Sequence, residues 1–410
     1  MMAPLVQGVP WPVPRGDGDA CRLDRQAHRQ SGPARERPGA RPAISRTADA
    51  ARYLRWCLGL ALLAMMSMAR AEPYLAIRAG LKCVACHVNP TGGGLRNAVG
   101  NTFAQNVIPA NSLPEALQGW NGSLLDDRLR LGGDLRTATT RTSVSGQPTR
   151  SVGGTEQTRL YADVQLVKDY LGAYLDEQVA PGKSERQEAY VRLSTPGLSW
   201  YAKAGQFYLP FGWRLQDNLA FVRQLSGISM TVPDKGLELG HEGDEWSIQL
   251  VRSNGPGNKG GTTGHQTTAQ AIWLQPWGRV GAATAQVKSS AGDRQAYGLF
   301  AGTTTGAVAW LAELDMVSDA GYPEGTRRQL ATLLEANWLV RQGHNLKFTS
   351  EYLDPDRSVA HDNKVRYSLV YEYTPIAFVQ LRAGYRKFGG IPQNAIDNRR
   401  QSFVELHGLF

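Results

Sequence analysis

The chain has 410 residues, with 45 lysines and arginines against 36 acidic residues. Residues 1–71 contain eleven arginines and five acids, so the remaining residues carry 34 basic and 31 acidic side chains. The net charge thus falls from +9 for the whole chain to about +3 for residues 72–410. Nucleic-acid binding needs a concentrated basic surface, so the composition indicates no nucleic-acid partner.

The first 71 residues are predicted to be a leader without folded structure. Residues 1–51 are rich in Arg, Pro and Gly, which fits either a functional extension or a start site placed too far upstream. Residues 56–68 form an uncharged apolar run, shorter than the roughly 20 residues of a membrane-spanning helix. The run ends in Ala69-Arg-Ala71, a pattern typical of signal-peptidase sites. We therefore expect export, with the mature chain beginning near Glu72.

The mature chain has only two cysteines, and they lie in Cys83-Val-Ala-Cys86-His87. In an exported protein, Cys-x-x-Cys-His is the attachment signature of a c-type haem. Cys83 and Cys86 would form thioethers with the haem vinyl groups, and His87 would be the proximal iron ligand. A plain disulfide and half of a zinc site are the alternatives. Structural zinc needs four ligands, and no second cysteine pair is present.

The segment around this motif, residues 72–120, is called the CXXCH segment below. It is too short to bury a core of its own, and Gly92–Gly94 weakens it further. A short helix is predicted at Ala98–Ala104. The segment has no second His and no Met, so a sixth iron ligand must come from elsewhere. Water, Lys82, an Asn or the new amino terminus are further options. We expect the segment to pack against the rest of the chain.

From about residue 126 to the end, the sequence consists of stretches of about ten residues with period-two alternation. In residues 365–373, Tyr367, Leu369 and Tyr371 share one face, and Arg366 and Glu372 share the other. This pattern predicts an all-β domain over residues 121–410.

A membrane barrel fits this domain better than a soluble sandwich. Aromatic residues fall at the ends of stretches and on the apolar face, as interface girdles do. The chain ends in Leu-Phe410, similar to the last strand of bacterial outer-membrane barrels. No apolar run after the leader reaches the length of a membrane-spanning helix. We predict a transmembrane barrel of about 16 antiparallel strands, plugged by the CXXCH segment.

Two further expectations concern the lumen. Gly205 to Gly212, with its Pro-Phe-Gly end, resembles a strand end of phosphate-selective-type porins, where the next stretch folds inward. Leu215 to Pro233 is therefore either an inward constriction or an ordinary outer loop. Alternation also places nine charged residues in the lumen: Glu313, Asp315, Glu335, Lys347, Glu351, Arg366, Glu372, Arg382 and Arg386.

The same alternation places Glu405 and His407 in the lumen near the periplasmic mouth. His407 is thus a candidate distal iron ligand, with Glu405 as an orienting partner. The alternative is that His407 is a solvated lumen residue. Met230 is another candidate ligand.

A leader, one early Cys-x-x-Cys-His and a barrel resemble the fused monohaem cytochrome–porins, the outer-membrane iron oxidases of iron-oxidising bacteria. Pro90, Leu95, Gly100 and Phe103 match the family's haem segment in order, whereas Gly92–Gly94 is a departure. The resemblance covers the architecture of the mature chain, but its sharp motif spans only residues 83–103. It implies a protein in outer-membrane lipid that takes electrons from extracellular Fe(II) and passes them to a periplasmic c-type cytochrome.

Three functions remain open from the sequence. The first is electron transfer through one covalent haem c, and Fe(II) oxidation would be one form of it. The second is a passive or substrate-selective porin with an accessory haem segment. The third is an enzyme such as a peroxidase, which would need distal acid–base residues that the sequence does not identify.

Overall fold

The computed structural model describes residues 72–115, 118–255 and 264–409. The predicted leader, with Cys21 and Cys57, lies outside the described residues, and so does Phe410. A two-residue strand, β1 (Ser123–Leu124), precedes sixteen long strands that form one antiparallel sheet. The last strand pairs with the first of the sixteen through residues such as Val404 and Thr139, so the sheet closes into a barrel. The prediction of a sixteen-stranded all-β barrel is confirmed.

The barrel strands, β2 to β17 in chain order, are Leu129–Ser143, Arg150–Val167, Leu171–Ala180, Glu185–Ser194, Trp200–Phe207, Asp234–Glu242, Trp246–Ser253, Gly264–Gln275, Gly278–Ser289, Arg294–Thr305, Val308–Asp319, Arg327–Arg341, His344–Asp354, Lys364–Tyr373, Val379–Gly389 and Arg400–Leu409. Each pairs with its chain neighbour, as in an up-and-down barrel.

The strands carry apolar side chains on the outside and polar ones on the inside. In β7, Leu237 and Leu239 are 62% and 60% exposed, whereas Glu238 between them is fully buried. A soluble protein would show the reverse, because water favours exposed charges and buried apolar groups. The nine charged residues predicted to face the lumen are all buried or partly buried, on the inner face of their strands. The outer surface is therefore suited to lipid.

The two ends of the barrel differ. Short turns such as Pro276–Trp277 join strands at the end where β2 begins and β17 finishes, called the turn end here. Longer connections lie at the opposite loop end, among them residues 208–233. Near the turn end, Trp273 stacks with Trp246 at 6.0 Å and meets Trp277 at 6.2 Å. Such a cluster is typical of an aromatic girdle.

The CXXCH segment lies inside the barrel. It forms three helices: α1 (Pro73–Ala79), α2 (Cys83–Cys86) and α3 (Ala98–Asn106). Its apolar side chains share one core with the barrel and with residues 208–233: Tyr74, Ile77, Val88 and Leu95 pack in a cluster that includes Phe207, Trp213, Phe221 and Phe300. Within the described residues, no helix is both long enough and apolar enough to cross a membrane.

Residues 208–233, called the inward loop here, fold into the lumen. Most of their apolar side chains are buried, including Phe211, Trp213 and Leu215. The loop contains a helix, α4 (Phe221–Ser226), whose Arg223 pairs with Glu313 on the wall. Of the two alternatives for this stretch, the inward constriction is therefore the one that forms.

The outward apolar face can be tested with two apolar-to-arginine substitutions. Leu369 lies outward in the middle of β15, and Val359 is exposed in the loop before that strand. Leu369→Arg is expected to lower the free energy of unfolding in lipid vesicles by about 2–4 kcal/mol, the cost of arginine near the bilayer midplane. Val359→Arg should stay within about 0.5 kcal/mol of the parent. Equal effects in urea titrations would contradict the lipid-facing assignment.

Candidate functional site

A cavity of about 940 Å³, counted out to its opening, lies against both cysteines and His87. Three parts of the chain build its wall: the CXXCH segment, the inward loop and strands β9 and β10. Its apolar lining includes Leu75, Leu81, Phe103, Ile108, Phe211, Trp213 and Ile272.

The short helix α2 is held by the residues that follow the motif. Asn97 caps α3 by accepting a hydrogen bond from the Gly100 backbone N–H at 2.9 Å. The Asn97 amide donates to the carbonyls of Val84 and Ala85, both at 3.1 Å. A Cβ on Gly100 would lie 2.1 Å from the Cys86 carbonyl oxygen, so only glycine allows this contact between the two helices.

Gly92–Gly94, the departure from the family pattern, forms a turn beneath Cys83. All three residues have positive φ angles, of +86°, +78° and +59°. A Cβ on Gly92 would lie 3.2 Å from the Cys83 sulfur, and one on Gly94 would lie 2.2 Å from the Tyr174 hydroxyl. The triplet therefore allows the chain to pass between the motif and the barrel wall.

The protonation states of the motif follow from its burial. Burial, assisted by the charges of Arg96 and Arg214, lowers the pKa of His87 to about 3. Its imidazole is therefore neutral at neutral pH, the form that binds metals. Burial also raises the pKa of both the Cys83 and the Cys86 thiol. Burial lowers the pKa of the nearby Arg96 to about 9, so its guanidinium keeps its charge at neutral pH.

The loop after His87 is bound to one side of the barrel wall. Arg192 on β5 donates to the carbonyl of Val88. The fully buried Asn89 donates to Glu188 at 3.2 Å and accepts from Lys203 at 3.3 Å. These wall residues face inward by strand alternation, so their partners lie in the lumen.

The helix before the motif is bound to the opposite side. Tyr74 donates to Glu372 at 3.0 Å, and Lys347 pairs with Glu72 at 3.1 Å. Arg78 donates to the carbonyl of Asn337 at 3.0 Å. At the turn end, Lys82 donates to the Trp246 carbonyl at 2.7 Å. The CXXCH segment is thus fastened around much of the circumference.

The structure brings Cys83, Cys86 and His87 together but does not bring His407 to them. His407 is fully buried in the lumen, as its alternation predicts. It does not line the cavity, and its Nε2 lies 3.0 Å from Asp134 Oδ2. Glu405, expected to orient it, pairs with Arg382 at 3.3 Å. The closing β17–β2 pairing brings Asp134, an acid on the first long strand, to His407.

Other lining residues escaped the sequence analysis. Phe211 and Trp213 belong to a stretch that was recognised for its inward fold, not for lining a cofactor cavity. The sequence pattern around Gln270 and Arg279 did not predict that they line the cavity, because their approach to the cysteines depends on barrel closure. Met230 lies beside Gly93, where an added Cβ would be 2.9 Å from its methyl carbon. It lines a neighbouring cavity rather than the one at the cysteines.

The residues present fit a covalent haem. Two thiols and a buried, neutral imidazole lie at one apolar cavity, and the His87 Nδ1 has no hydrogen-bond partner in the described part of the chain. The described residues contain no group of three or more His, Cys, Asp or Glu side chains placed to bind a metal ion by themselves.

No protein-family model and no curated protein matches this chain. Solved structures do match it. OprB of Pseudomonas putida, at high pH, is 12% identical with a TM-score of 0.56, over 75% of this chain and 100% of that chain. The anion-selective porin of Comamonas acidovorans is 12% identical with a TM-score of 0.55, and the match covers 69% of this chain and 99% of that chain. OmpT of Vibrio cholerae, folded in vitro, is 11% identical with a TM-score of 0.53, and the match covers 70% of this chain and 99% of that chain.

At these identities the similarity establishes the fold alone. The chain is a closed, sixteen-stranded antiparallel barrel of the type found in outer-membrane porins.

The packing of the Gly92–Gly94 turn against Tyr174 can be tested by substitution. Gly94→Ala adds a methyl group 2.2 Å from the Tyr174 hydroxyl and a left-handed backbone that costs about 1–2 kcal/mol. In a Cys86→Ser background, we expect faster maleimide labelling of Cys83, since the turn must move away. Adding Tyr174→Phe removes the overlapping oxygen and should restore part of the protection. If Gly94→Ala labels at the parent rate, the turn does not pack as described.

Proposed function

We propose that this chain works in the bacterial outer membrane, and that its CXXCH segment carries one haem c bound through Cys83, Cys86 and His87. One observation carries the proposal: the two thiols and the neutral imidazole line a single apolar cavity inside the barrel. A haem held there supplies one-electron redox chemistry. The proposed function is electron transfer through the barrel, between an extracellular donor such as Fe(II) and a periplasmic c-type cytochrome.

The chain's own residues support this role in three ways. The His87 imidazole stays neutral, so it can offer a lone pair without first losing a proton. Trp213 and Phe211 place apolar surface on the wall and exclude water. Two hydrogen bonds hold the loop after His87 in one position: Arg192 donates to the Val88 carbonyl, and Asn89 donates to Glu188.

The position of the motif relative to the turn end supports the choice of the two electron partners. Outer-membrane barrels place their short turns in the periplasm, so the turn end would face that compartment. Lys82, next to the motif, donates to the carbonyl of Gly243 in the turn between β7 and β8, so the cavity would lie nearer the periplasm. A hydrocarbon layer about 30 Å thick separates it from the cell surface. A donor would therefore enter the lumen from the loop end.

Electron transfer predicts a redox response that depends on His87. The full chain, produced with c-type cytochrome maturation, should gain the mass of one haem and be reduced by Fe(II) under anaerobic conditions. His87→Ala should lose at least tenfold in the rate of reduction, because the proximal ligand is gone. His265→Ala is the matched control, since His265 is exposed on β9 and outside the cavity. Protein without covalent haem, or equal rates in both variants, would refute this function.

Solute passage is the second candidate, and the comparisons by themselves favour it over electron transfer. One matched structure is named an anion-selective porin, and such a barrel passes small solutes. The CXXCH segment argues against solute passage, because it contacts the lumen-facing residues Glu372, Lys347 and Glu188.

Bilayer conductance separates the two candidates. We expect the intact chain to show little single-channel conductance, because the segment and the inward loop together narrow the lumen. The matched recording uses the Gly94→Ala variant, which loosens the segment and should conduct more often. Stable, large openings of the intact chain would instead support a porin.

A further inference from the structure

Two arginines in the cavity wall have an unusual set of partners. Arg279, at the beginning of β10, is 4% exposed. Arg214 follows Trp213 in the inward loop and is largely buried. Both line the cavity together with Cys83, Cys86 and His87.

Both guanidinium groups donate to backbone carbonyls. Arg279 donates to Ala76 at 3.0 Å and to Leu81 at 2.6 Å. Arg214 donates to Tyr208 at 3.1 Å and also to Gly92. Across residues 72–115, 118–255 and 264–409, neither forms an ion pair with a carboxylate.

Two other buried arginines of the lumen have acidic partners. Arg159 pairs with Asp176 at 3.3 Å, and Arg366 pairs with Glu351 at 2.6 Å. Among the described residues, Glu72 is the one acid that lines the cavity, and its carboxylate pairs with Lys347. Lys82, which also lines the cavity, pairs with Glu242 at 3.6 Å, whereas Arg214 and Arg279 lack a balancing acid within the described part of the chain.

A buried charge is costly unless an opposite charge lies close to it. Carbonyl dipoles reduce this cost but do not neutralise the charge. A ligand with carboxylate groups would supply the missing countercharge, and the planar guanidinium is suited to bind a carboxylate through two hydrogen bonds. A haem c carries two propionate carboxylates beside its apolar ring, which matches an apolar cavity with two guanidinium groups in its wall.

We propose that Arg214 and Arg279 bind the propionate carboxylates of the haem. This assignment rests on the proposed haem and deepens it. The thioethers and His87 would hold the group from the CXXCH segment, while the two arginines hold it from the inward loop and the wall. Two nearby positive charges also favour the reduced state of the iron, so they raise its midpoint potential.

The test measures the haem itself rather than a turnover rate. Arg214→Gln, Arg279→Gln and the double variant are prepared as full-length, haem-loaded protein. Redox titration gives the midpoint potential, and resonance Raman spectroscopy gives the propionate bending bands. We expect each substitution to shift those bands and lower the potential. The double variant should change the reduction equilibrium at least tenfold, which is 59 mV for one electron.

Arg186→Gln is the matched control. Arg186 is an exposed arginine on β5 that pairs with Glu177 and does not line this cavity. It should leave both the potential and the bands unchanged. Arg214→Lys and Arg279→Lys keep the charge but lose the planar fork. They should keep the potential near the parent value while the bands still shift.

Each outcome decides between this assignment and the haem proposal. A parent protein that lacks covalent haem by mass refutes the proposed function. A haem-loaded double variant with parental potential and bands overturns the propionate assignment alone. If the glutamine variants do not fold, lysine variants with unmoved bands overturn it as well.

A soluble anion is the other source of the same chemistry. In haem-free Cys83→Ser/Cys86→Ser protein, bilayer recordings with potassium chloride give the ratio of anion to cation permeability. In this haem-free protein the two glutamine substitutions should lower the ratio under either assignment, because they remove positive charge from the lumen, so the haem potential decides between the two. A fall in anion preference, together with an unmoved haem potential, would assign the guanidinium groups to a solute instead.

Discussion

Closure of the barrel through the pairing of β17 with β2 is the constraint on which the rest of the structure depends. Once closed, the sheet has no free edge, so all strand hydrogen bonds are made within the wall. The alternation of side chains then separates two surfaces. Leu237 and Leu239 face outward, and Glu238 faces inward. An outer surface made apolar for lipid therefore directs buried charged residues, such as Glu238, Arg366 and Glu372, into the lumen.

A lumen lined with charges must satisfy them, and this explains how a segment too small to fold alone is held. Some wall charges pair with each other, as Arg382 does with Glu372 at 3.1 Å. Others reach the CXXCH segment, through backbone carbonyls such as that of Val88 or side chains such as Asn89. The segment in turn supplies apolar residues to a core shared with the inward loop. Neither wall nor segment satisfies its buried groups by itself.

Local pattern and long-range pairing contributed differently to the candidate site. The motif at Cys83, Cys86 and His87 is contiguous, so it could be recognised without a structure. Lumen residues such as Arg366 and Glu372 could be assigned because alternation along one strand is a local property. The partner of His407 could not, because Asp134 lies on the strand that only closure brings beside it. Trp213, Arg214 and Arg279 reach the cavity for a similar long-range reason.

The sequence by itself determined the strand content, the lumen-facing direction of the nine named charged residues and the presence of the Cys83-Val-Ala-Cys86-His87 motif. These are set by period-two alternation and by neighbouring residues, which act over a few positions of the chain. Tertiary structure alone decided that the inward loop enters the lumen, that Gly92–Gly94 pass beneath Cys83, and that Arg279 lies at the cavity. Those contacts join residues far apart in sequence, and they exist only after the last strand has found the first.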